Sequence, residues 1–131
     1  MERVIEYAGG TIEFCVKEFG IYSMGIDSSI GKSHLYHVLQ HIDNDLIFTL
    51  TYDKNEAITL ERIKEFIRSS YPVLYIDRFD MMVDNNVIIE LLKSIENRYI
   101  ILDCKDNEFN DLLGVNYLLL LKRKDGFKLY A

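Results

Sequence analysis

The sequence is poor in most of what marks a linker, a secreted scaffold or a membrane protein. It holds a single proline, Pro72, and no stretch rich in Pro, Gly or Ser, so no flexible tether divides it. Two cysteines, Cys15 and Cys104, have no paired spacing, which argues against a disulfide framework and for a reducing, cytoplasmic setting with both thiols as small buried hydrophobes. No apolar run approaches the roughly 20 residues of a spanning helix, and the opening MERVIEYAGG lacks a basic start with a long apolar stretch. Neither a membrane nor a signal peptide is expected. A basic surplus is missing too. With 15 Lys and Arg against 21 Asp and Glu, the formal charge of −6 argues against broad binding to nucleic acid or anionic membranes.

What the chain does have is core material. At 131 residues and 49% hydrophobic content it can bury one real core but not two, so residues 1–131 are expected to form one domain. Residues 1–19 alternate around Gly9-Gly10, which predicts a β-hairpin lying as an edge or flap beside a main sheet. From Gly20 to Leu121 the texture changes: short apolar runs alternate with segments of helical period, the pattern of a parallel sheet with crossover helices. The strands are read at Ile21 to Ile26, LIFTLTY (Leu46 to Tyr52), VLYID (Val73 to Asp77), YIILD (Tyr99 to Asp103) and YLLLL (Tyr117 to Leu121). The first helix carries Leu35, Val38, Leu39 and Ile42 on one face; the second carries Leu60, Ile63, Phe66 and Ile67; the third, capped by Asp84, carries Val87, Ile88, Leu91, Leu92 and Ile95. EFNDLL is read as a short helical turn, and the tail 122–131 as an antiparallel edge strand after a turn at Asp125-Gly126.

Chemistry concentrates in MGIDSSIGKSHL. Gly31, Lys32 and Ser33 follow an apolar strand and open a helix, the context in which backbone N–H groups at a helix start wrap a phosphate. A second element, VLYIDRFD, ends a buried strand on Asp77, at the strand end where open parallel sheets bind ligands. Together these resemble the P-loop NTPases, in particular the AAA-type and RecA-like ATPases, in which an extra strand separates the two motifs. The pattern covers residues 20 to 121, with motif specificity at 25–33 and 73–77.

The resemblance implies a three-layer α/β sandwich with a mostly parallel five-stranded sheet of order 5-1-4-3-2. It implies nucleotide contacts from Gly25, Ile26, Asp27, Ser28, Ser29, Ile30, Gly31, Lys32, Ser33 and His34, and magnesium held by Ser33 and Asp77. Asp80 and Asp103 are the candidates for a catalytic or sensor role. The expected partner is a nucleoside triphosphate, ATP or GTP, bound with Mg²⁺. Lys32→Ala is expected to abolish binding and spare the fold.

Three departures bear on turnover. Ile26 stands at the motif's first glycine, where a β-branched residue resists positive φ. Arg78 stands where these ATPases carry a glutamate that activates water. No lid or arginine finger is in view. Binding with slow or partner-dependent hydrolysis is therefore expected, against the alternative of a degenerate P-loop domain kept as a protein-interaction or regulatory module without nucleotide turnover; besides the nucleotide, a protein partner or a homo-oligomer is the partner expectation. A small-molecule kinase ranks behind both for want of a lid and of arginines over the phosphates. The remaining polar features read as structural: His34, His37 and His41 share a helix face without a completing ligand set, Lys122-Arg123-Lys124 form a solvated turn, and Tyr52, Tyr71, Tyr75 and Tyr99 pack with polar tips.

Overall fold

Apolar runs too continuous to have a wet face become the centre of the molecule. A computed structural model describes residues 1–24, 31–79, 86–103 and 113–131. β1 (Glu2–Tyr7), β2 (Gly10–Cys15), β3 (Gly20–Ser23), α1 (Lys32–Gln40), β4 (Ile47–Thr51), α2 (Glu56–Arg68), β5 (Val73–Asp77), α3 (Asn86–Lys93), β6 (Tyr99–Leu102), β7 (Asn116–Tyr117), β8 (Leu119–Arg123) and β9 (Gly126–Tyr130) follow in that order. Five strands form one sheet in the order β4-β5-β6-β3-β7, and each neighbouring pair is parallel. β6 is buried along its whole length and β5 at all but Asp77, because both faces of the sheet are covered.

Successive side chains of a strand point to opposite faces, and the cores divide accordingly. Leu74, Ile76, Ile100 and Leu102 pack with Ile63 and Phe66 of α2 and Ile88, Ile89 and Leu92 of α3. Val73, Tyr75, Tyr99 and Ile101 pack on the other side with Leu35 and Leu39 of α1 and with a second sheet. At about 25 cal/mol per Å² of buried apolar surface, both cores depend on this double covering. The helix stripes shift slightly from their expected faces. Thr59 is buried in α2 while Ile67 stays 36% exposed, and in α3 Ile89 is buried while Val87 is 63% exposed.

The chain ends depart most from expectation. The N-terminal hairpin packs against one face of the parallel sheet rather than joining its edge, and the tail is not that sheet's edge. Instead β1 and β2 join β9 and β8 in a separate four-stranded sheet of order β1-β2-β9-β8. β9 is antiparallel to β8 and parallel to β2. Two glycines permit this union: a Cβ on Gly10 would lie 1.7 Å from the Asp125 carbonyl oxygen, and one on Gly126 would lie 1.8 Å from that of Thr11. YLLLL is likewise not one buried strand. It breaks at Leu118, so that Asn116–Tyr117 extend the parallel sheet beside β3 and Leu119 begins the second sheet. Leu119 and Leu121 are exposed because β8 edges that sheet with one face in solvent. Cys15 is half-buried rather than buried; Cys104, the Asp84 cap and most of EFNDLL lie outside the described residues.

Candidate functional site

Three strands end side by side at one edge of the parallel sheet, and a helix begins there. Thr51 of β4 is in register with Asp77 of β5, and Ile76 with Leu102 of β6, so Asp103 follows next to Asp77. The Asp103 N–H donates to the Ile76 carbonyl at 2.9 Å, and the Phe79 N–H donates to the Asp103 carbonyl at 2.9 Å. These bonds fix both carboxylates on rigid backbone.

Lys32, the first residue of α1, is only 2% exposed. Its Nζ stands 3.0 Å from Asp103 Oδ1. The approach is a charge contact rather than an aligned hydrogen bond, since this buried oxygen accepts none. Asp77 is held differently: Thr51 Oγ1 donates to its Oδ2 at 3.0 Å, and Arg78 Nε lies 3.7 Å from the same oxygen. Burial raises the Asp77 carboxyl above its ordinary value, the Asp103 charge adds to this, and the Thr51 hydroxyl and Arg78 act against it. Tyr75 lies fully buried beneath. Burial, then the charges of Asp103 and Asp77, push its hydroxyl well above the usual phenol range, and that hydroxyl has no partner among the described residues. Tyr36 of α1 stacks on it with ring centroids 5.7 Å apart. Buried polar atoms without partners are few in folded proteins, and among the described residues the Tyr75 hydroxyl is one of them.

The backbone is special at two points of the same edge. Gly31, at the helix N-cap, has φ 93° and, having no side chain, supplies no side-chain cap to α1. Arg78 has φ 53°, a left-handed conformation that costs a non-glycine residue about 1–3 kcal/mol and persists where surrounding structure enforces it. The fully buried Phe79 next to it supplies that enforcement.

Of the expected site residues, Lys32, Asp77 and Asp103 converge. Gly31 and Ser33 open the same helix, but Ser33 is exposed and makes no hydrogen bond to Asp77 among the described residues, where Thr51 fills that role. His34 turns away to meet Phe127 edge-on at 5.2 Å. His37 and His41 lie 4.4 Å apart, and among the described residues no three His, Cys, Asp or Glu side chains gather as metal ligands. Gly25, Ile26, Asp27, Ser28, Ser29, Ile30 and Asp80 lie outside the described residues.

Thr51 and Tyr36 were not singled out by their sequence, and Lys122 was read only as part of a solvated turn, whereas Lys122 and Arg123 are exposed residues at the end of β8. Thr51 had a legible signal, a polar residue closing a strand as Asp77 closes the next. Lys122 had none: its stem passes over Gly31, where an added Cβ would meet Lys122 Cδ at 3.0 Å. Tyr75 differs from Tyr99, whose hydroxyl donates to the Lys17 carbonyl at 3.2 Å as a packing tyrosine with a satisfied tip should. Compared with protein-family models, curated proteins and solved structures, the chain gives no match.

Proposed function

We propose that the chain is a minimal P-loop-type domain that binds ATP or GTP with Mg²⁺ at the start of α1 and hydrolyses it slowly or only when a partner completes the site. The observation that carries this reading is the meeting of Lys32, at the start of α1, with Asp103, which stands next to Asp77 at the carboxyl edge of a parallel sheet. Strand order supports it as well. Numbered from β3 in chain order, the parallel strands lie 5-1-4-3-2, the order implied by the resemblance. Phosphate oxygens would take the first-turn N–H groups, and Lys32 would exchange Asp103 for a phosphate. Asp77 is the carboxylate suited to Mg²⁺, which keeps most of its waters and needs one or two carboxylates besides the nucleotide. The ion would supply charge neutralisation at the phosphates.

A second reading, an interaction module with a retired nucleotide site, is favoured by the burial of Lys32 against Asp103. Calorimetric titration with Mg-ATP and Mg-GTP separates the two. Saturable heat that disappears in Ser33→Asp, whose carboxylate would occupy the anion position without disturbing the helix, is the expected result. No heat and no thermal shift with either nucleotide would sink the first reading.

A further inference from the structure

The open edge of the parallel sheet lies in a groove of about 760 Å³ between the layers of α1 and α2. Its floor is β4, which has β5 on one side and, among the described residues, no strand on the other. In a parallel ladder each residue directs its N–H and C=O to the same side. Leu46 C=O and Tyr52 N–H bond to β5, so the even-numbered residues face inward and Ile47, Thr49 and Thr51 face out. The chain takes up part of that outer row. Asn44 Oδ1 accepts from the Ile47 N–H, and Arg62 Nη2 donates to the Thr49 C=O. The Thr49 and Thr51 N–H groups and the Ile47 and Thr51 carbonyls have no partner among the described residues.

Natural edges are usually blunted by lysine, proline or a bulge. IFTLT has no charge and no proline. The groove walls are instead apolar and aromatic, with Tyr36 and Ile42 on the α1 side and Ile58 on the α2 side. Its charge is one-sided: Asp43, Asp53 and Glu65 line it against Arg62 alone, and Arg62 is engaged by Glu65 at 2.7 Å. A second copy fits badly, because each β4 is recessed between its own helices and two acidic rims would face one another.

We infer that β4 is a docking edge for an extended, basic segment of a partner protein, which adds a sixth strand through its main chain and sets its Lys or Arg side chains against Asp43, Asp53 and Glu65. Five edge residues accommodate about 17 Å of strand. This does not rest on nucleotide binding, although Thr51 belongs to both places.

The test is selection of a displayed random heptapeptide library on the intact chain without nucleotide, with Thr49→Pro as the subtracting control. Proline at an outward position removes an edge donor and spares the β5 ladder. Expected are peptides alternating Lys or Arg with β-branched or aromatic residues and lacking a central proline. The best of them should slow hydrogen exchange at the Thr49 and Thr51 amides at least about tenfold and bind about tenfold more weakly to Asp43→Lys. Asp43 is exposed, so this variant decides the matter even if Thr49→Pro fails to fold. Enrichment no better than on Thr49→Pro or on Asp43→Lys, selection of acidic peptides, or binding that leaves both amides unprotected overturns the inference. So does a dimer in sedimentation that protects those amides without peptide.

Discussion

Two helices begin at the same edge of the parallel sheet, and they begin in opposite ways. Asn55 precedes α2 in extended backbone, its side chain accepts from the Ala57 N–H at 3.1 Å, and Glu56 adds a favourable charge to the first turn. Before α1 stands Gly31 in left-handed backbone, with no capping side chain, no acid in the first turn, and a buried lysine drawn to the carboxylate that follows β6. One start is finished for stability. The other has glycine at the cap, a few tenths of a kcal/mol weaker than Asn, and supplies no side-chain acceptor to its first turn. That difference separates a structural helix from a functional one more clearly than composition does, since both helices carry ordinary apolar stripes.

The largest way to break the comparison is Lys32→Met. It leaves Asp103 buried beside Asp77 without its cation, and should lower unfolding free energy by about 3–5 kcal/mol in a urea titration, with most of the loss recovered in Lys32→Met/Asp103→Leu. Lys32 is buried and paired with Asp103, so Lys32→Ala is likewise expected to cost stability, contrary to the expectation that it spares the fold. Gly31→Ala should cost about 1–3 kcal/mol from positive φ alone, the Lys122 stem being free to shift. Asn55→Ala should cost about 1 kcal/mol in the same assay and leave nucleotide heats unchanged. Ser33→Asp should do the reverse, gaining about 0.3–1 kcal/mol from the helix dipole while abolishing nucleotide heats.

The smallest effect concerns Asp77. Its carboxyl is raised in the folded state, so the fold holds a proton that the unfolded chain gives up above pH 3.8, and the associated stability, full below that pH, is lost as pH rises through the folded value. Asp77→Asn removes this loss. It should raise the melting temperature at pH 7 by the equivalent of less than about 1 kcal/mol, the scale for a partly exposed charge, and the advantage should vanish below pH 3.8 in a calorimetric series.

Much of this was legible residue by residue. VLYID and YIILD read as strands because an apolar run with no polar alternation can only be buried on both faces, and their terminal aspartates are functional candidates by position in the run. Asn55 was legible in principle as a cap, three residues from the first apolar face of α2. Lys122 over Gly31 was not, because 90 residues of chain separate two groups that meet only when the second sheet closes over α1. Nor was the break at Leu118: YLLLL satisfies a buried strand as written, and only its two different neighbours, β3 and then β9, split it.

By itself, then, the sequence determined most of the local states: which central runs are strands, which segments are helical, and that carboxylates and a lysine stand at their ends, since period, capping and turn chemistry act over a few residues. Tertiary structure alone decided that two distant hairpins make one sheet, that Lys32 is buried against Asp103 and, among the described residues, that the Tyr75 hydroxyl has no partner and β4 keeps an open acidic-walled edge. Each depends on which groups share a low-dielectric space after packing, and neighbours along the chain carry no record of that.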